Sequence, residues 1–285
     1  MIRLLTVIGH GSNLVKHHIN HYMKYVDEIN YVVYETDDTP SLANTIKDII
    51  SDFDGVKIVK VVKERKFDWE KVTELYNEVK LSKPNDWWII ADIDEFHLYP
   101  HDSLKRTLQY CDYNGWEIVR GGFVDRTTKT GSFPKIKEDV NLFEQFPVMS
   151  FFRYPMSQAC PNKICAVKGK IEITAGQHYA KIDGFTTWRW QGWNHPLIAP
   201  IDMYSVQVHH FKWDETAIER IKDVANLNQE YAYSAEYNKM YDELNKTNFV
   251  IDITKPEYMT QISDGQAFYS VYRLWDRLMK KIASI

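Results

Sequence analysis

The run Trp87-Trp88-Ile89-Ile90-Ala91 is apolar at nearly every position. Side chains alternate between the two faces of a strand, so a strand apolar on both faces must be covered on both. Three strand-and-helix pairs precede it. Leu4 to Ile8 reads as a short buried strand, and Val15, Ile19, Tyr22 and Val26 follow at helical spacing. Tyr31 to Tyr34 is a second strand, followed by a helix with the stripe Leu42, Ile46, Ile49 and Phe53 that Ser41 is placed to cap. Val56 to Val62 is a third strand, and Trp69, Val72, Tyr76 and Val79 mark a third helix. This order predicts an α/β fold with a mostly parallel central sheet and helices on both sides.

From about residue 116 the pattern changes. Trp116 to Val124, Ser150 to Arg153, Ile164 to Val167, Ile171 to Thr174 and Ser205 to His209 read as strands joined by loops, with few helices between them. After Asp214, a cap, the chain turns helical. Ile218, Ile221 and Ala225 share one face, and Phe268, Val271, Trp275, Leu278 and Ile282 form the stripe of a last helix. The expected organisation is a catalytic domain over residues 1–213 and a C-terminal helical extension over residues 214–285, with no repeat and no clear linker.

The 285 residues and 44% hydrophobic content allow one large core, or one core with a small appendage. Aromatic content of 14% suits stacking against sugars or bases as well as packing. A net charge of −4 gives no global case for nucleic-acid binding, so nucleic acid is a disfavoured partner. Cys111, Cys160 and Cys165 are odd in number and lack metal-ligand spacing, which reads as reduced thiols. The first apolar run is too short for a signal peptide, and no stretch reaches the ~18 apolar residues of a membrane span. A soluble cytoplasmic protein is expected. The last helix, with Lys280-Lys281, packs on the main domain in the default reading, and peripheral membrane contact or a homodimer are its other uses.

The chemistry concentrates in Asp92-Ile93-Asp94-Glu95-Phe96, directly after the apolar strand. Open α/β sheets bind ligands outside the carboxyl ends of their strands. If this segment is extended, alternation puts Asp92 and Asp94 on one side and Ile93 on the other. Two such carboxylates repel, and a divalent cation relieves the repulsion. Mg²⁺ and Mn²⁺ prefer oxygen ligands and share their shell with substrate phosphates, which suits departure of a diphosphate leaving group. The plainer reading is a helix cap or a solvated acidic turn.

A buried strand running into Asp-x-Asp-Glu-Phe resembles the GT-A glycosyltransferases, whose fold is Rossmann-like, and in particular their family-2-like and family-92-like group. The opening strand and polar turn, the helix with His17, His18 and His21, and the acidic pair Asp37-Asp38 are similar to that group's nucleotide-binding start. Lys163 and His178 resemble a later Lys and His, and Val208-His209-His210-Phe211 resembles the late strand with a metal-site histidine. The likeness covers roughly residues 1 to 215. It implies an inverting transfer of a sugar from a nucleoside-diphosphate sugar, a UDP-sugar foremost, to a hydroxyl of a glycan or other acceptor, with Mn²⁺ or Mg²⁺. It also implies that Asp94 ligates the metal, that Asp92 meets the ribose or the metal, and that His209 is the third ligand with His210 as its alternative.

Other candidates follow from local chemistry. Gly9, His10 and Asn13 belong to a glycine turn leading into a helix N-terminus, which favours anions. Asp37 and Asp38 suit a base or ribose, or simply a turn before Pro40. Arg65 and Lys66 suit a base edge or phosphate, or a solvated turn. A general base is needed beside the acceptor hydroxyl, and Asp125 is preferred over Asp183 and Glu172. Trp188, Trp190 and Trp193 read equally as a sugar-stacking platform or as core. Two other functions compete: a nucleotidyltransferase, which should carry a basic glycine-rich loop after its first strand, and a nucleotide-sugar or carbohydrate-binding protein without turnover.

Overall fold

The computed structural model describes residues 1–100, 103–182, 185–186, 195–226 and 232–262, together with positions 273, 276 and 277. In chain order the first elements are β1 (Ile2–Ile8), α1 (Val15–Tyr22), β2 (Glu28–Glu35), α2 (Leu42–Ile50), β3 (Val56–Lys63), α3 (Trp69–Leu81), β4 (Trp87–Ile90) and β5 (Glu95–Leu98). Next come α4 (Leu104–Asn114), β6 (Ile118–Thr127), α5 (Leu142–Gln145), β7 (Val148–Ser150), α6 (Arg153–Ser157), β8 (Asn162–Lys168), β9 (Glu172–Ile173), β10 (Ala180–Ile182) and β11 (Phe185–Thr186). The chain continues through α7 (Ile201–Tyr204), β12 (Val206–His210), α8 (Ala217–Asn226), α9 (Ala232–Lys246) and β13 (Gln261–Ile262). Two compact units result, each from two segments: Met1–Gly122 with Asn162–Val208, and Phe123–Pro161 with His209–Ile285.

The first unit has the order β3-β2-β1-β4, with all three pairings parallel. Antiparallel β8 continues the sheet beside β4, and Ile118–Gly122 of β6 lies beside β8. Both faces are covered. Val72, Leu75 and Tyr76 of α3 pack with Leu5, Val7, Val32, Tyr34, Trp88 and Ile90. Alternation turns Tyr31 to the other face, where its hydroxyl meets His18 of α1. The order reverses at β1, because β2 lies on one side of it and β4 on the other. The carboxyl ends of β1 and β4 therefore flank a topological switch point, where sheets of this kind open a crevice.

The second unit is built around β7, which pairs antiparallel with the last part of β6 and with β13. Phe152, Met156, Trp213, Ile221, Met240, Leu244, Ile251 and Tyr258 form its core against α8 and α9. Asp214 lies ahead of the cap position of α8: Thr216, whose carbonyl accepts from the Arg220 N–H, stands there, and Asp214 accepts from the Thr216 N–H at 3.0 Å.

Several local expectations change. Ser41 stands at the start of α2 without a side-chain cap, and Glu35 does that work by accepting from the Ala43 N–H at 2.8 Å. The stripe of α2 turns on Ile50 rather than Ile49. Arg153 opens α6 instead of ending a strand. Among the described residues no helix is long and apolar enough to cross a membrane. Asp183, the Trp188–Trp190–Trp193 group, Lys280-Lys281 and the stripe of the last helix lie outside the described residues.

Candidate functional site

The segment after β4 is a turn, not an extended strand, and this corrects the alternation argument. The Glu95 N–H donates to the Asp92 carbonyl at 3.0 Å, and the Asp92 N–H donates to Glu95 Oε2 at 3.1 Å. Ile93, 2% exposed, packs inward towards Gly11. The two acidic side chains therefore take different surroundings. Asp92 stays partly open. Tyr76 donates to its Oδ1 at 2.9 Å, and Lys163 Nζ lies 3.0 Å from its Oδ2. Asp94 is buried and lies close enough to His18 to act on its charge.

Lys163 is 1% exposed and reaches three acceptors: Asp92 Oδ2, Glu95 Oε1 at 2.8 Å and Gln177 Oε1 at 2.9 Å. An ammonium has three hydrogens, so each has an acceptor within the protein. Burial opposes the charge, but Asp92 and Glu95 outweigh it and hold the Lys163 pKa above its ordinary value. A β-bulge helps to aim this side chain. The register of β6 against β8 shifts between Val119 and Arg120, leaving Cys165 unmatched, and resumes with Arg120 opposite Ile164 and Gly121 opposite Lys163. Gly121 is obligatory in turn, because a Cβ there would collide with the Val206 carbonyl.

The turn after β1 lies at the other strand of the switch point. Gly9 admits the Phe67 ring, which would stand 2.6 Å from a Cβ at that position. Gly11 has φ 75, a left-handed conformation that glycine adopts without strain. Asn13 and His10 are exposed. Asp37 and Asp38 are exposed at the centre of a turn closed by the Thr39 N–H and the Thr36 carbonyl at 2.9 Å, after β2. Arg65 and Lys66 are exposed after β3.

Electrostatics bear on whether a metal suits this place. The turn gathers three carboxylates, Asp92, Asp94 and Glu95, against one ammonium. Histidine adds no positive charge nearby. Burial pushes His18 down to about 3 and His21 down to about 4, so both are neutral at pH 7. A diphosphate would meet excess negative charge here unless a cation came with it. Among the described residues no group of three or more His, Cys, Asp or Glu is placed to hold a metal by itself. The oxygen donors present fit an ion bound through one carboxylate and completed by ligand phosphates, as Mg²⁺ is commonly held. Asp94 suits that role. Asp92 already accepts one hydrogen bond at each oxygen, and each oxygen keeps a second lone pair on the open side.

His209, Asp125 and His210 belong to the second unit. Arg126 Nε donates to His209 Nδ1 at 2.8 Å. An arginine cannot act as acceptor, so a neutral His209 carries its hydrogen on Nε2. In this arrangement the Nδ1 lone pair of His209 is taken by Arg126. His210 Nδ1 pairs with Arg153 at 3.0 Å, so the alternative ligand is engaged as well. Asp125 is 2% exposed; its Oδ2 accepts from the Arg153 N–H at 3.0 Å. Its Oδ1 has no hydrogen-bond partner and stands 3.9 Å from His210 Nδ1. Asp125 lines a small, partly open recess with Phe123, Phe151, Arg153, Tyr154 and Cys160. The base alternative Glu172 is exposed and paired with Lys181.

No family model and no curated protein matches this chain. Solved structures give distant likenesses. The mannosyltransferase PcManGT from Pyrobaculum calidifontis, in complex with GDP-Man and Mn²⁺, is 11% identical over 85% of this chain and 68% of its own, with a TM-score of 0.39. TarS of S. aureus is 13% identical over 86% of this chain, with a TM-score of 0.37, and this chain spans only 43% of its length. A 4-diphosphocytidyl-2C-methyl-D-erythritol synthase is 14% identical over 59% of this chain and 75% of its own, with a TM-score of 0.32. The α/β class rests on the strand order of the chain itself.

Proposed function

We propose that the protein is a metal-dependent glycosyltransferase, moving a sugar from a nucleoside-diphosphate sugar to a hydroxyl acceptor. The observation that carries this reading is the acidic turn Asp92–Glu95 at the switch point, facing the glycine turn that follows β1. Nucleotides are bound at such points in open α/β sheets.

The roles follow from the surroundings. Asp94 would hold Mn²⁺ or Mg²⁺ together with diphosphate oxygens, and the bound ion supplies charge neutralisation to the leaving group. Asp92, fixed by Tyr76 and Lys163, accepts a ribose hydroxyl on its open side. Lys163 is assigned to orienting Asp92 rather than to the phosphates, because its hydrogens are engaged. Gly9, His10 and Asn13 are assigned to the nucleotide, with Asp37 and Arg65 at its base or ribose. Asp125 is assigned the acceptor proton: Oδ2 is held by backbone and Oδ1 is the oxygen left to take it. A base of this kind implies inversion at the transferred sugar.

The test is release of nucleoside diphosphate from a panel of nucleotide sugars with Mn²⁺, with and without chelator. Metal-dependent release from one donor, lost in Asp94→Ala, supports the reading. Release of pyrophosphate from a nucleoside triphosphate and a sugar phosphate would favour a nucleotidyltransferase instead. Donor binding without product would favour a binding protein.

A further inference from the structure

Gln177 carries features that its neighbours do not explain. It is fully buried and not glycine, yet its φ is 54. Residues with a Cβ avoid that region unless the surrounding structure imposes it. Gly176 before it has φ 71, so two successive residues are left-handed. The bend is closed by the Gln177 N–H donating to the Thr174 carbonyl and the Thr174 N–H donating to the Tyr179 carbonyl, each at 2.9 Å. The bend lets Gln177 Oε1 accept from Lys163 Nζ at 2.9 Å and sets His178 Nδ1 2.6 Å from the Asn162 carbonyl. The other end of the amide, Nε2, is buried with no hydrogen-bond partner.

A polar side chain held in a strained conformation, with one end satisfied and the other not, is retained for the end that is satisfied. We propose that Gln177 is a positioning residue of the donor site. It supplies the third acceptor of Lys163, stops that ammonium from swinging between Asp92 and Glu95, and so fixes the orientation of the Asp92 carboxylate. The inference rests on the donor-site reading above. It adds that ligand affinity depends on a residue that need not touch the ligand.

The experiment uses the whole chain, with UDP, GDP, CDP and ADP as probes in the presence of Mn²⁺, and calorimetric affinities. Gln177→Met removes the acceptor at similar size. Gln177→Glu keeps an oxygen in its place and removes the amide nitrogen. The expected result is a loss of about tenfold in affinity for the bound nucleotide in Gln177→Met, the scale of one hydrogen bond to a charged group. Gln177→Glu should remain within about threefold of the parent. In a Lys163→Met background, Gln177→Met should add no further loss. Should Gln177→Met fail to fold, Gln177→Asn shortens the reach by one methylene and carries the same expectation. Unchanged affinity in the Met variant overturns the inference, and so does an equal loss in the Met and Glu variants, which would show that an oxygen at this place does not restore binding. If the parent binds none of the four probes, the donor-site reading itself falls, and the inference with it.

Discussion

Lys163 shows what burial does to a charged side chain. It faces two carboxylates at about 3 Å while nearly sealed from water. Removing one partner of such a pair strands the others. Lys163→Met should therefore cost about 3–5 kcal/mol, read as a lowered denaturant midpoint, and weaken donor binding at least as much as Gln177→Met does. A change within about 0.5 kcal/mol would show that Asp92 and Glu95 are compensated in another way. His209 makes a contrasting case. Because its Nδ1 accepts from Arg126, His209→Ala should lower stability by leaving a guanidinium short of an acceptor, yet keep the metal dependence of the activity. Loss of metal dependence in that variant would restore His209 as a ligand. The sequence made Asp92, Asp94 and Lys163 visible through residue type and position after strands. It could not show that Lys163 Nζ reaches Gln177, because the two are joined only by the bulge in β8 and the left-handed bend at Gly176.

At the scale of elements, the first four strands and first three helices were legible because each has a strong period. The helix α4 was not read. Its buried stripe is thin, Leu104, Thr107, Leu108 and Cys111, although its cap Ser103 and its terminating Gly115, φ 73, stand in the sequence. The helix α9 falls within the expected helical extension, but no stripe was read for it: Met240 and Leu244 enter the core, with Tyr237 and Tyr241 packed against it. The turn after β4 escaped because Asp-x-Asp reads equally as strand or turn until the Asp92 and Glu95 hydrogen bonds are seen. Two predictions belong here. Gly121→Ala should destabilise the protein by about 1–3 kcal/mol, since the added Cβ meets the Val206 backbone, which cannot rotate away. Glu35→Ala should cost about 1 kcal/mol through the lost cap of α2, whereas Ser41→Ala should cost little. Equal effects of the last two in chemical denaturation would contradict the assigned cap.

For the molecule as a whole, acid should be destabilising through buried histidines as well as carboxylates. His18 and His21 are neutral in the fold, with pKa values pushed by burial to about 3 and about 4, whereas an unfolded histidine titrates near 6.5. Below pH ~6.5 the unfolded chain takes up protons that the folded chain refuses, so stability falls as pH drops from about 6.5 towards 4 and is flat above. Each histidine contributes about 2 kcal/mol of that loss at pH ~5. Denaturant midpoints at pH 7 and pH 5 measure it, and His18→Leu should reduce the difference. An unchanged difference would mean that His18 is charged in the fold.

The central claim is a location: the ligand lies at the switch point between β1 and β4. The most direct measurement is the set of backbone amide shift changes when the nucleoside diphosphate that binds is titrated in with Mn²⁺. The account predicts the largest changes at Gly9 to Asn13 and at Asp92 to Glu95, smaller ones at Lys163 and Gln177, and their disappearance in Asp94→Ala. Changes confined to other surfaces, with these two turns silent, would contradict it.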